Sequence, residues 1–143
     1  MKTLIKAALV GVAVLALGAC SSMPNWMPFS GATKVKLSGA EEVPPVVAQG
    51  SGSGSFRVAE DGTVTGSVTT SGVQGTAAHI HQGAKGQNGP VIVPLAKNGD
   101  TYSVPEGRKL TAAQMSAFKA GNLYVNVHTA RNKGGEVRGQ LNP

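Results

Sequence analysis

Alternation with a period of two is the feature that most narrows what this 143-residue sequence can fold into. In Leu123-Tyr-Val-Asn-Val-His, a strand sets Leu123, Val125 and Val127 on one face and Tyr124, Asn126 and His128 on the other. Glu136-Val-Arg-Gly-Gln-Leu repeats the pattern, with Glu136, Arg138 and Gln140 opposite Val137 and Leu141. The residues between, Ala130 to Gly135, carry an asparagine and two glycines, as a turn requires. Pairing across that turn puts His128, Arg138 and Glu136 on one polar surface. Lys34-Val-Lys-Leu also alternates, and Asp61-Gly62 between Ser55–Ala59 and Val64–Thr70 signals a hairpin. Val91 to Leu95 reads as a short apolar strand, in which Pro94 argues for an edge or a bulge. Short strands joined by Gly-rich turns predict an all-β fold, a Greek-key-like β-sandwich or small barrel, built as one domain over 34–143.

One helix interrupts the β pattern. Thr111 with Gln114 three residues on forms a capping box, Leu110 and Met115 fit a hydrophobic staple, and Gly121 is placed to stop the helix. About ten residues of crossover helix are expected, covering one end of a sheet, with Met115 and Phe118 packing as core rather than serving as ligands.

The chain has three histidines, and all lie in strand-like runs: His79 and His81 in Ala-Ala-His-Ile-His, and His128. His79 and His81 share a face, with Ile80 turned away. A third imidazole from a neighbouring strand completes a nitrogen cluster of the kind that holds copper or zinc. His79, His81 and His128 are therefore the candidate metal ligands. Copper is the favoured ion if the site is to change valence. Arg138 is either an anion-attracting residue beside the metal or a salt-bridge partner of Glu136 or Glu41. Asn126 and Gln82 are read as strand and turn polar residues, and Glu41-Glu42-Val-Pro-Pro as a solvated turn before a rigid bend. Gly83 to Gly89 lacks the Gly-Lys-Ser/Thr ending and following helix of a phosphate loop, and is expected to be a turn beside the site.

The amino end has the pattern of an export signal over 1–19: Lys2 and Lys6, then the apolar run Ala7–Leu17, too short for a stable span. Leu17-Gly18-Ala19-Cys20 resembles a bacterial lipobox and carries the chain's single cysteine. The resemblance implies acylation of Cys20, a lipidated tether over 20–33, and membrane lipid as a partner. Ser21 after the cysteine implies the outer membrane, facing the periplasm. With Cys20 so used, no thiol remains for a disulfide or a thiolate ligand. The formal charge of +6 comes from scattered basic residues, and one Trp, two Tyr and three Phe give little to stack on bases, so a nucleic-acid partner is excluded. No Ser-His-Asp arrangement supports hydrolase chemistry.

Several of these motifs, in order, resemble the CHRD domain: Val35-Lys-Leu-Ser-Gly-Ala-Glu-Glu-Val-Pro-Pro, Ala78-His-Ile-His-Gln-Gly, Asn88-Gly-Pro-Val-Ile-Val-Pro-Leu, Leu110-Thr, Ala120-Gly-Asn-Leu-Tyr-Val-Asn-Val-His-Thr and Gly135-Glu-Val-Arg-Gly-Gln-Leu. More loosely, the histidines resemble the copper ligands of copper-zinc superoxide dismutase, with Arg138 matching by order the arginine that attracts the anionic substrate there. That resemblance implies Arg138 as a catalytic residue acting on a small anion such as superoxide. A bridging fourth histidine, a zinc loop and a disulfide are missing, which argues against a zinc site. The expectation is thus a periplasmic, membrane-anchored CHRD lipoprotein that binds copper, with dismutase-like redox activity as its enzymatic extension. The alternative is a non-catalytic structural or interaction module of the cell envelope.

Overall fold

The computed structural model describes residues 31–143. The export signal, Cys20 and most of the tether, including Trp26 and Phe29, lie outside the described residues. The chain forms β1 (Thr33–Leu37), a 3-10 turn (Gly39–Glu41), β2 (Ser51–Val58), β3 (Val64–Ser71), β4 (Gly75–Gln82), β5 (Val91–Pro94), β6 (Ala96–Asn98), β7 (Thr101–Ser103), α1 (Ala112–Lys119), β8 (Leu123–Thr129) and β9 (Val137–Leu141). Two antiparallel sheets, ordered β1-β2-β3-β7-β6 and β5-β4-β8-β9, pack face to face as a sandwich. The chain changes sheet between β3 and β4, between β5 and β6, and between β7 and β8, the last time through α1. An antiparallel bridge between Ser38 and Arg138 joins the sheets where β1 ends beside β9.

The alternating residues meet between the sheets. Val35, Leu37, Phe56 and Val68 from the first sheet pack against Ile80, Val93, Val125, Val127, Val137 and Leu141 from the second. Each such side chain removed from water contributes roughly 1.5–3 kcal/mol. The expected hairpin turns through Gly62, whose φ of +85° suits glycine, with the Asp61 carboxylate accepting from the Thr63 amide and hydroxyl. Pro94 lies on β5, an edge strand as expected. The Thr111–Gln114 capping box is present, Phe118 is buried and Met115 packs on the core. The helix is eight residues, shorter than its signals suggested, because Gly121 at φ +73° ends it directly after Ala120.

Two features were not visible in the pattern. The β6–β7 hairpin is too short to show a period. Tyr102, at its centre, pairs with Val68 and is fully buried, and burial, with Asp100 nearby, raises the pKa of its phenol. Its hydroxyl has no hydrogen-bond partner. A buried unpaired hydroxyl costs free energy that an apolar edge does not. Tyr102→Phe is therefore expected to raise unfolding stability by about 1 kcal/mol, read as a higher urea midpoint at unchanged slope. A lower midpoint would show that the hydroxyl is satisfied in solution.

Candidate metal centre

Register brings the histidines together. On the outer face of the second sheet, β4 pairs with β8 so that His79 faces Asn126, His81 faces Tyr124, and Ala77 faces His128. His128 is thereby diagonal to His79, within reach of long side chains. Ile80 points the other way, into the core, as the period requires. The ligand-capable atoms of His79, His81 and His128 all lie within 4.8 Å of one another, so the three residues could hold a metal ion. The ring centroids stand 5.6 Å (His79–His81), 4.8 Å (His79–His128) and 6.0 Å (His81–His128) apart.

Hydrogen bonds determine which nitrogen of each ring is free. His81 Nδ1 is 2.9 Å from the Gly89 carbonyl, and His128 Nδ1 is 2.8 Å from the Lys133 carbonyl. Carbonyls only accept, so both Nδ1 atoms carry the proton and both Nε2 atoms present lone pairs. His128 Nε2 then accepts from His79 Nδ1 at 2.9 Å. His81 Nε2 is buried and has no partner. A carbonyl on the far nitrogen is the arrangement that orients imidazole for a metal.

The donor set fits a metal in chemistry and nearly in size. Three nitrogens bound at about 2.0 Å would stand roughly 3.3–3.5 Å apart, between the 2.9 Å of the His79–His128 contact and the 4.8 Å that bounds the set. Burial, reinforced by the neighbouring rings, lowers the pKa of His79. For His81 burial again dominates; the Gly89 carbonyl and Asn126 oppose it, while His128 and Arg138 add to it. Both rings are thereby kept in the neutral, ligating form.

The polar face is not the open surface that the alternation suggested. Tyr124 and Asn126 are 2% exposed, because three segments close over them. Residues 83–90 return across the face, with Gly89 beside the Tyr124 hydroxyl; a Cβ on Gly89 would strike the Gln82 carbonyl. Residues 130–135 supply the Gly134 carbonyl to the Asn126 amide at 3.2 Å. Segment 38–46 brings in Glu42 and is tied to the first cover by Asn88 Nδ2 donating to the Val43 carbonyl and by Lys85 with Glu41 at 3.4 Å.

Arg138 occupies the centre of this cover. It is 1% exposed, and its guanidinium lies 3.5 Å from the centre of the Tyr124 ring. It donates to the carbonyls of Gln87 (2.8 Å) and Ala84 (3.1 Å), with longer contacts to Asn88 Oδ1 and Gln140 Oε1 at 3.4 Å. Tyr124 in turn stacks on His81, with centroids 4.7 Å apart and planes within 6°. Neither salt bridge that the sequence suggested for Arg138 forms: Glu136 accepts from Thr129 and Asn132, and Glu41 meets Lys85. Gln82 makes backbone contacts to Pro90 and lies at the end of β4.

Glu42 is a second correction. Read as part of a solvated turn, it is 4% exposed, and desolvation raises its pKa from 4.5 to about 7 against the lowering effects of Arg138 and Asn126. The two prolines after it carry the chain over the sheet, a signal that could have been read as a segment held against the fold. Among the described residues, three of the four buried polar atoms without a partner are Glu42 Oε1, Asn126 Oδ1 and His81 Nε2. Unmet polar capacity thus concentrates at this one place.

A family model for the CHRD domain matches residues 33–141. The chain belongs to the CHRD domain family. No curated protein and no solved structure matches it. The CHRD match spans every strand described above, so the three histidines, Arg138 and Glu42 all belong to the domain itself.

Glu42 makes a prediction with a definite sign. Below pH 4.5 the carboxyl is protonated in both folded and unfolded chains. Between 4.5 and about 7 the unfolded chain ionises while the fold retains the proton, so stability falls as pH rises. The loss amounts to roughly 3 kcal/mol. His79 and His81 act oppositely, costing stability as pH drops below about 6.5. Glu42→Gln keeps the shape and removes the charge. Its stability relative to the wild type is expected to climb from pH 4.5 to 7.5 in parallel urea titrations. A constant difference would place Glu42 in water.

Proposed function

We infer that this CHRD domain binds a single copper ion through His79, His81 and His128, in a protein anchored to the cell envelope by acylated Cys20. One observation carries the metal reading: three imidazoles converge, two of them already oriented by backbone carbonyls, with His81 Nε2 buried and unpartnered. Copper is favoured by the donors: imidazole suits it in both oxidation states, and first-row affinities peak at cupric ion. His79 and His128 are only half-buried, which leaves a route from solvent to a site backed by His81. The lipobox-like Leu17-Gly-Ala-Cys20 supports lipid attachment, and Ser21 after it supports the outer membrane, facing the periplasm. Among the described residues no helix is long and apolar enough to cross a membrane.

Copper bound there would supply a redox-active centre. The chain's own part is to hold three lone pairs in place, keep His81 dry and set the local field. The structure favours binding or tolerance over superoxide turnover, since the Arg138 guanidinium is committed to carbonyls of the cover and to the Tyr124 face. An anion would feel its charge without touching it.

Soluble protein from residue 21 onward, loaded with copper, is expected to bind one equivalent with nitrogen hyperfine structure in its cupric spectrum. His79→Ala or His81→Ala should weaken binding at least a hundredfold, while leaving the urea midpoint within about 1 kcal/mol of equivalent stability. Undiminished binding by both variants would end the ligand assignment. Superoxide turnover by the loaded protein that is lost in Arg138→Met would move the reading from carrier to enzyme.

A further inference from the structure

The three histidines carry no negative charge of their own, and a buried guanidinium lies one aromatic ring away from one of them. Arg138 on β9, Tyr124 on β8 and His81 on β4 follow one another across adjacent strands. The guanidinium contacts one ring at 3.5 Å, and that ring is stacked at 4.7 Å on the imidazole. Among the described residues, no carboxylate is within ion-pair distance of Arg138. The Glu42 carboxyl beside Asn126 is buried, and desolvation raises its pKa to about 7, so it is neutral only below that pH. Glu136, the acid nearest in sequence to Arg138, accepts from Thr129 and Asn132 at the far side of the 130–135 turn.

We propose that this buried guanidinium makes the site select a monovalent cation, cuprous ion in the cell, over divalent ions. The inference rests on the histidine site proposed above and adds its charge preference. Each unit of cation charge is repelled once by Arg138. A divalent ion therefore meets that repulsion twice, with no anionic ligand to offset it. At the separation set by one intervening ring, and with the effective dielectric of a protein interior, the extra unit is disfavoured roughly tenfold. Tyr124 has two parts in this. Its face stabilises the cation, and its bulk keeps the guanidinium from hydrogen bonding to the metal ligands themselves. Arg138 is thus a positioning residue for the cover and a source of field for the site, not a ligand.

Silver(I) and zinc(II) test the charge preference without any change of oxidation state. Their dissociation constants are measured by calorimetry in chloride-free buffer at about pH 6, where the Glu42 carboxyl is largely neutral. A small chelator with three imidazoles provides the reference ratio of zinc to silver constants. The protein's ratio is expected to exceed the reference about tenfold. Arg138→Met should return it toward the reference. Because that variant opens the cover and could fail to fold, Asn88→Asp provides a milder arm. Asn88 is exposed and its Oδ1 already lies 3.4 Å from the guanidinium, so the new carboxylate offsets the charge and should lower the ratio several-fold. A wild-type ratio equal to the reference, or an Asn88→Asp ratio equal to wild type, overturns the proposal and leaves a metal site blind to charge. Failure of both ions and of copper to bind would instead remove the histidine site on which the proposal stands.

Discussion

A buried guanidinium without a bonded carboxylate is costly, and much of this molecule can be understood as the means of accommodating Arg138. Its charge cannot be left dry and unpaired. Carbonyl dipoles from Ala84 and Gln87 and the face of Tyr124 take the place of an ion-pair partner. Those carbonyls belong to a loop, and satisfying Arg138 therefore fastens residues 83–90 across the sheet. The same loop delivers the Gly89 carbonyl to His81 Nδ1. One electrostatic requirement on β9 thus determines which nitrogen of a histidine two strands away holds its proton. Loss of the guanidinium would remove one anchor of the loop, leaving Asn88, Tyr124 and Gln140 to hold it.

The sandwich was readable because period-two alternation reports one thing well: which side chains go to the core. Val125, Val127, Val137, Ile80 and Leu141 were assigned to that face and are there. Register followed from the same pattern, since a slip by one residue would send those side chains outward, and register is what brings His128 to His79. Alternation is silent on what happens to the other face. Tyr124 and Asn126 looked like surface residues, and Glu42 like part of a turn, because nothing local marks a strand whose polar side is roofed by loops from residues 38–46, 83–90 and 130–135. These are long-range contacts among glycines, prolines and asparagines, residues that signal turns but not where a turn comes to rest. Gly135 illustrates the point: its φ of +130° is legible as a glycine requirement, but only the fold shows that a Cβ there would run into Glu42 and Asn126. The β6–β7 hairpin escaped for a simpler reason. Three-residue strands contain too few side chains to establish a period.

The metal-free geometry also bears on how such a site survives empty. Three imidazoles facing one another without a metal would carry unmet lone pairs or, if protonated, mutual repulsion. Here the His79–His128 hydrogen bond consumes one lone pair and one proton, and burial keeps His79 and His81 neutral. The remaining His81 Nε2 is the one left unsatisfied. A buried acceptor of this kind raises the free energy of the empty state by an amount on the order of 1–3 kcal/mol, and any ligand that meets it recovers that cost.

The two halves of the site then have different tasks. His81 and His128 are held by carbonyls that would stay in place when a metal arrives, so their orientation costs nothing at binding. His79 has only the neighbouring imidazole to hold it, through the Nδ1–Nε2 hydrogen bond to His128. Partly exposed, His79 is thus the least restrained of the three, while His81 is packed against the stacked tyrosine with the arginine behind it. The partly exposed histidines lie toward solvent and the buried one lies under the loop cover, so access from outside is through His79 and His128.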